Sequence, residues 1–191
     1  MVTFITGNER KVKVLKLLLD PYKVEFDHIK LDLEEIQTKD PSTLVLRKVQ
    51  EAYSQIKRAC FVEDTEWSIP ALNGFPGLFM KYINEWFKKE DWIKLMKDYT
   101  DKRVFCINHY GCVDNKGNSF EISAKTELII KDDRNIQREA KGIWSTPVDF
   151  IFYSPIIDKT ISDFNLEDDR TKVFGDKEAY SKLSEFIKLN S

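Results

Sequence analysis

A short apolar run, Val2-Thr3-Phe4-Ile5, ends at Thr6-Gly7-Asn8 and is followed by a helix-forming segment that carries Arg10 and Lys11. A strand, a glycine turn and a helix with lysine in its first turn can hold an anion. Gly7 lets the backbone approach closely, and the helix start offers N–H groups and a partial positive charge. Lys11 adds a full charge. Taken alone, the same three residues serve equally as a plain strand-to-helix turn. Carboxylates that could face a cation occur in two places. Asp32, Glu34 and Glu35 follow the second strand, and Glu63 and Asp64 sit at the end of the third. Acids at strand ends can converge on Mg²⁺, which takes one or two carboxylates together with waters and phosphate oxygens. Each of them alone reads as a solvated acid. Phosphate-facing lysines and metal-facing acids together in the first third of the chain carry more weight than either set.

The elements that must position these groups follow from periodicity. Glu9 to Leu19 reads as a helix with Val12, Leu15, Leu18 and Leu19 on one face, Asn8 as N-cap and Asp20-Pro21 as terminator. Val24 to Ile29 reads as a strand. Asp40-Pro41 opens a second helix that carries Val45, Val49, Ala52 and Ile56 to about Arg58. Ala59 to Glu63 reads as a buried strand that delivers Asp64 and Thr65 to a loop. Asn73 to Gly77 is a turn cluster. Leu78 to Tyr99 is mostly helical with a break near Lys88 to Asp91. Arg103 to Asp114 and Asn118 to Lys131 form a long hairpin, Pro147 and Pro155 bracket an irregular aromatic stretch, and Asp176 caps a closing helix that buries Ala179, Leu183, Phe186 and Ile187. Early alternation of strands and helices followed by a hairpin predicts an α/β fold: a mixed β-sheet with flanking helices, in two lobes around a cleft.

Composition narrows the field. The 191 residues suffice for one domain in two lobes, and 30 basic against 32 acidic side chains argue against a general nucleic-acid binder. No apolar run is long enough to span a membrane. The odd cysteine count (Cys60, Cys106, Cys112) and the start of the chain directly in a strand predict reduced thiols in a cytoplasmic protein. Cys106 and Cys112 could be a metal pair, but no paired CxxC or nearby histidine ligand accompanies them, so they read as strand residues. His28 and His109 read as structural.

The ordered segments Phe4-Ile5-Thr6-Gly7-Asn8 with Lys11, Leu31-Asp32-Leu33-Glu34-Glu35-Ile36-Gln37, Lys48 before Glu51-Ala52, Val62-Glu63-Asp64-Thr65, and Leu72-Asn73-Gly74-Phe75-Pro76-Gly77 with Lys81 resemble the inosine triphosphate pyrophosphatase family. That family hydrolyses deaminated purine nucleoside triphosphates to monophosphate and pyrophosphate, a nucleotide-pool housecleaning role. The resemblance implies an elongated sheet, a nucleotide-binding cleft, Mg²⁺ as cofactor and a homodimer. It implies that Thr6, Gly7, Asn8 and Lys11 cradle the triphosphate, that Lys48 and Lys81 add phosphate contacts, and that Thr65 touches substrate. Glu35 and Asp64 would hold Mg²⁺, with Asp64 or Glu63 orienting the attacking water. Phosphoanhydride hydrolysis needs charge neutralisation and an aligned water more than covalent chemistry, so no serine, cysteine or histidine nucleophile is required.

The sequence departs from the family in three places. Glu66-Trp67 follow Glu-Asp-Thr where a small residue is usual. The aromatic-Gly-aromatic-Asp-Pro loop that reads the base corresponds to Asp149-Phe150-Ile151-Phe152-Tyr153-Ser154-Pro155, which lacks the glycine and the aspartate. Phe152 or Tyr153 could stack on a base, or both could be core aromatics. The family's Ser-His-Arg falls on Phe174-Gly175-Asp176, with Arg170 in place of a nearby lysine. Lost donors in a base pocket weaken discrimination. The alternative to an enzyme is a catalytically weak relative that binds nucleotide as a sensor or partner-binding module. The aromatic segment Tyr82 to Phe87 with Trp92 could supply the dimer surface or pack internally.

Overall fold

The computed structural model describes residues 1–131, 146–165 and 167–191. Its strands are β1 (Thr3–Ile5), β2 (Asp27–Ile29), β3 (Cys60–Ser68), β4 (Pro76–Gly77), β5 (Arg103–Val113), β6 (Ser119–Ile130), β7 (Phe152–Ser154) and β8 (Lys159–Thr160). Its helices are α1 (Glu9–Leu19), α2 (Pro41–Ile56), α3 (Met80–Trp86), α4 (Lys89–Met96), α5 (Asp168–Phe174) and α6 (Lys177–Asn190). The eight strands make one mixed sheet in the order β2-β1-β3-β5-β6-β7-β8, with β4 paired to β3. The α/β fold expected from the sequence is thus the observed one. The chain divides into two compact units, Met1–Thr65 with Asn108–Ala124 and Phe174–Ser191, and Glu66–Ile107 with Lys125–Val173.

In the first unit β1 pairs in parallel with both β2 and β3. The chain steps from β1 through α1 to β2 on one side, then back through α2 to β3 on the other. Parallel crossovers are right-handed, so two crossovers that step in opposite directions place their helices on opposite faces of the sheet. The side chains agree with this. Even-numbered residues of β3, Cys60 and Val62, share a core cluster with Val45, Val49 and Ala52 of α2. Odd-numbered Phe61 lies on the other face, stacked on Phe4 at 4.7 Å and edge-on to Phe26 at 5.7 Å. The α2 helix approaches β5 so closely that a Cβ built on Gly111 would lie 2.3 Å from the Val45 carbonyl oxygen. The hairpin turns where expected, with Asp114 Oδ1 accepting from the Lys116 and Asn118 backbone N–H groups at 2.8 and 2.9 Å. All three cysteines are buried free thiols, and burial pushes Cys60 up to about 12 despite Arg58 nearby, so they are strand residues, as the sequence suggested.

The second unit is centred on Trp92, which is fully buried and touches Phe75, Phe87 and Phe152 at ring-centroid distances of 6.0, 5.3 and 6.5 Å. Trp92 is therefore core, whereas Trp86 is 70% exposed and Tyr82 also faces solvent. Asn73 and Gly74 adopt positive φ (54° and 88°) in the expected turn. Among the described residues, no helix is long and apolar enough to cross a membrane.

Three boundaries differ from expectation. The α2 helix ends at Ile56 because Lys57 takes the left-handed conformation and closes it through its N–H to Tyr53. The β2 strand begins only at Asp27, since Val24 to Phe26 find no ladder partner in register with β1. The β3 strand does not stop at Glu63 but runs to Ser68, with β5 as its neighbour in the sheet and β4 paired to its far end at Trp67 and Ser68.

Candidate active site

The turn after β1 is braced on every side. His28 Nε2 lies 2.8 Å from the Thr6 carbonyl oxygen, which requires the proton on Nε2. Thr6 Oγ1 accepts from the Asn8 N–H at 3.1 Å, and Asn8 Oδ1 accepts from the N–H groups of Arg10 and Lys11 at 3.0 and 3.4 Å. Asn8 is the N-cap that the sequence indicated. Replacing it with alanine should cost about 1 kcal/mol of stability, measured as a shift in the urea midpoint at unchanged slope. Gly7 has no positive φ; a Cβ there would meet the side chain of Lys30 at 3.3 Å. Lys30 therefore leans across the turn, a cation that the sequence reading did not select. A basic residue directly after β2 was the available signal.

Because β3 continues as a strand, Glu63 and Asp64 project from opposite faces. Each meets the lysine of the helix on its side. Lys11 of α1 places Nζ 2.8 Å from Glu63 Oε2 and 3.2 Å from the Glu63 carbonyl oxygen. Lys48 of α2 places Nζ 3.1 Å from Asp64 Oδ2 and 2.9 Å from Glu35 Oε1. A one-residue slip in β3 would exchange these partners. Burial pulls the Lys11 ammonium down, but attraction to Glu63 and Asp64 and the hydrogen bond to Glu63 outweigh it, so its pKa is raised.

The remaining bonds set the roles apart. Thr65 Oγ1 donates to Glu63 Oε1 at 2.7 Å and also lies 3.2 Å from Asn108 Oδ1. Glu63 thus has one oxygen on Lys11 and the other on Thr65, with its side chain only 6% exposed. Asp64 keeps 23% side-chain exposure, and its Oδ1 accepts the Thr65 N–H at 3.0 Å. Glu35, on the segment between β2 and α2, is 60% exposed. Lys48 lies on the buried stripe of α2, next to Val45, Val49 and Ala52, with 11% side-chain exposure. A lysine on an apolar stripe signals a paired charge. Asn108 was not selected from the sequence, where it is one polar residue among the alternating residues of β5.

Thr6, Gly7, Asn8, Lys11, Glu35, Lys48, Glu63, Asp64 and Thr65 all belong to the first unit. The other candidates belong to the second. Lys81 is exposed on α3, 5.9 Å from the Tyr82 ring. Phe152 has no exposed surface and packs 5.0 Å from Trp67, so its ring presents no face to a ligand. Of the two β7 aromatics considered for stacking, only Tyr153 is accessible. Its hydroxyl donates to Asp158, and the Lys131 ammonium lies 4.2 Å from its ring centroid. Arg170 is half-buried on α5.

A divalent ion fits the carboxylate pair in one respect that can be measured. Glu35 and Asp64 come within hydrogen-bonding distance of one common cation, the Lys48 ammonium. Two hard oxygen donors match an ion such as Mg²⁺ that completes its shell with water and phosphate. Among the described residues, no group of three or more His, Cys, Asp or Glu side chains could enclose a metal by itself.

His109 is buried and engaged in structure, as expected. Its Nδ1 lies 2.6 Å from Glu121 Oε1, which also accepts from Ser123 Oγ at 3.0 Å. Burial raises the Glu121 pKa, but the His109, Ser42 and Ser123 hydrogen bonds prevail and hold it below the usual carboxylate range. A lowered folded pKa stabilises above the ordinary value of about 4.3 and is lost as pH falls through the folded one. Glu121→Gln should flatten stability against pH in that acidic window, as read from urea midpoints.

Two lysines paired with three carboxylates across the two faces of β3, next to a strand-glycine-helix turn, are groups suited to phosphate chemistry. The chain belongs to the Ham1 family, whose profile matches residues 2–185. It is 30% identical over 137 residues to the inosine triphosphate pyrophosphatase of Kluyveromyces lactis, covering 70% of this chain and 71% of that one. It is 29% identical over 139 residues to the enzyme of the same name from Candida glabrata, covering 70% and 72%. The fold is similar to the Staphylococcus aureus Ham1 protein (TM-score 0.72, 18% identity, all of both chains). It is also similar to a HAM1 protein from Coxiella burnetii (TM-score 0.74, 18% identity, 98% of both).

Proposed function

We propose that this protein is a nucleoside triphosphate pyrophosphatase, a single two-lobed domain acting on deaminated purine nucleotides in nucleotide-pool housecleaning. The carrying observation is the pairing of Lys11 with Glu63 and of Lys48 with Asp64 and Glu35 on opposite faces of β3. A chain of the Ham1 family with relatives named inosine triphosphate pyrophosphatase supports the reaction.

Lys11 and Lys48 neutralise phosphate oxygens, for which lysine serves as a point charge. Thr6, Gly7 and Asn8 form the turn against which the triphosphate lies, and Thr65 contacts the substrate. Asp64, partly accessible and with its carboxylate oriented by Thr65 N–H, holds the attacking water and takes its proton. The water oxygen bonds to phosphorus as the anhydride between the monophosphate and pyrophosphate breaks. Glu63 is spent on Lys11 and Thr65, so it positions both rather than activating water. Glu35 and Asp64 would hold Mg²⁺, which supplies further charge neutralisation on the phosphates. Lys81 takes the phosphate contact that the family resemblance implies, and Tyr153 and Arg170, where the sequence departs from the family, are the further candidates for substrate contact. A cytoplasmic homodimer completes the reading.

The test is a panel of nucleoside triphosphates with Mg²⁺, including those of hypoxanthine and xanthine, assayed for pyrophosphate. The reading expects release from the deaminated purines. Thermal stabilisation by these nucleotides with no release from any of them would replace it with a nucleotide sensor.

A further inference from the structure

The Lys48 ammonium bridges the two carboxylates assigned to the metal, at 2.9 Å from Glu35 Oε1 and 3.1 Å from Asp64 Oδ2. We infer that Lys48 is a built-in counter-cation that closes this pair in the free protein. It yields the pair only when a polyanion gives its ammonium another partner, so the divalent ion enters with the nucleotide and not ahead of it. This rests on the pyrophosphatase reading for the identity of the polyanion.

The geometry of each partner supports the exchange. Lys48 cannot simply withdraw into water, because its stem lies on the buried stripe of α2 and only 11% of its side chain is exposed. With no nearby phosphate, an unpaired ammonium there would be costly, and the two carboxylates are its remedy. Asp64 is fixed by β3 and by the Thr65 N–H. Glu35 is 60% exposed on a segment without regular structure, so it is the movable member that Lys48 holds in place. A divalent cation at the pair would lie next to a full positive charge. Even with water-like screening, that repulsion at about 4 Å lowers affinity by roughly tenfold or more. A triphosphate relieves both problems, since its oxygens accept Lys48 and ligate the ion.

Free Mn²⁺, followed by electron paramagnetic resonance in the absence of nucleotide, tests this without any turnover. Lys48→Met should bind Mn²⁺ at least about tenfold more tightly than the wild type. Lys48→Arg should remain as weak as the wild type, and Lys48→Met combined with Asp64→Asn should lose the gain. Equal affinity of wild type and Lys48→Met, or a gain that survives Asp64→Asn, overturns the inference. Should Lys48→Met fail to fold, the comparison of the wild type with Asp64→Asn decides. Free Mn²⁺ binding that is the same in wild type and Asp64→Asn supports a closed pair. Tighter binding by the wild type, lost in Asp64→Asn, shows the pair already open. Failure of the pyrophosphatase reading would appear in the nucleotide panel and leave these titrations unchanged.

Discussion

Asp64→Asn should lower the turnover number for pyrophosphate release by about 10³-fold, while the melting temperature moves little. The two carboxylates of the Glu63-Asp64 pair are not equivalent. Glu63 has Lys11 on one oxygen and Thr65 on the other, with a nearly closed side chain. Asp64 is more open, on the other face, beside Lys48. An asparagine there is nearly the same size, and its single carbonyl oxygen can keep either Lys48 or the Thr65 N–H, so one hydrogen bond at a partly exposed position is lost while the fold survives. What it loses is the negative charge that takes a proton and helps hold a metal. The loss should therefore fall on turnover and not on stability. Steady-state kinetics beside a thermal melt separates the two. A variant that keeps more than about a tenth of wild-type turnover would move the water-activating role to another group.

Gly111→Ala should be the most damaging conservative change in the first unit, at about 3 kcal/mol or more. The added methyl would lie 2.3 Å from the Val45 carbonyl oxygen, 2.7 Å from its carbonyl carbon and 3.0 Å from its Cβ. The closest two are backbone atoms, so no rotamer change relieves them; α2 or β5 must move. For a chain of this size, about 3 kcal/mol corresponds to a fall in melting temperature of roughly 6 to 12 °C. Because α2 carries Lys48, displacement of the helix also disturbs the Asp64 and Glu35 contacts. Activity should thus fall at temperatures where the variant is still folded. Urea and thermal melts on the purified variant check the first effect, and assays well below its midpoint check the second. A near-wild-type midpoint would mean that α2 has slack against β5.

Much of this was legible from local chemistry. Asn8 and Asp20-Pro21 bound α1 correctly because a cap and a proline act within a few residues. The Asn115 to Asn118 turn was likewise readable, since Asp114 and Gly117 act locally. The candidate residues from Thr6 to Thr65 were selected through the family resemblance, which ordered segments that taken one by one read as a plain turn and solvated acids. What was not legible depended on partners distant in sequence. The length of β3 depends on its neighbours β5 and β4, and it turned an expected loop at Asp64 and Thr65 into strand. That extension divides Glu63 and Asp64 between α1 and α2. Lys48 was expected on phosphate, and the structure pairs it with Glu35 and Asp64. Asn108 and Lys30 reach the site only through tertiary packing. Phe152 could be read from its aromatic loop either as stacking on a base or as core, and the pairing of β7 with β6 carries it into the core.

The most direct test of the central claim is the identity of the phosphorus products. Inosine triphosphate with Mg²⁺ and the wild-type protein, followed by ³¹P NMR, should give monophosphate and pyrophosphate in equal molar amounts, the pyrophosphate resonance twice as intense, and no diphosphate. Nucleoside diphosphate with orthophosphate would place the cut at the wrong anhydride, and an unchanged spectrum would remove the reaction; either would contradict the account.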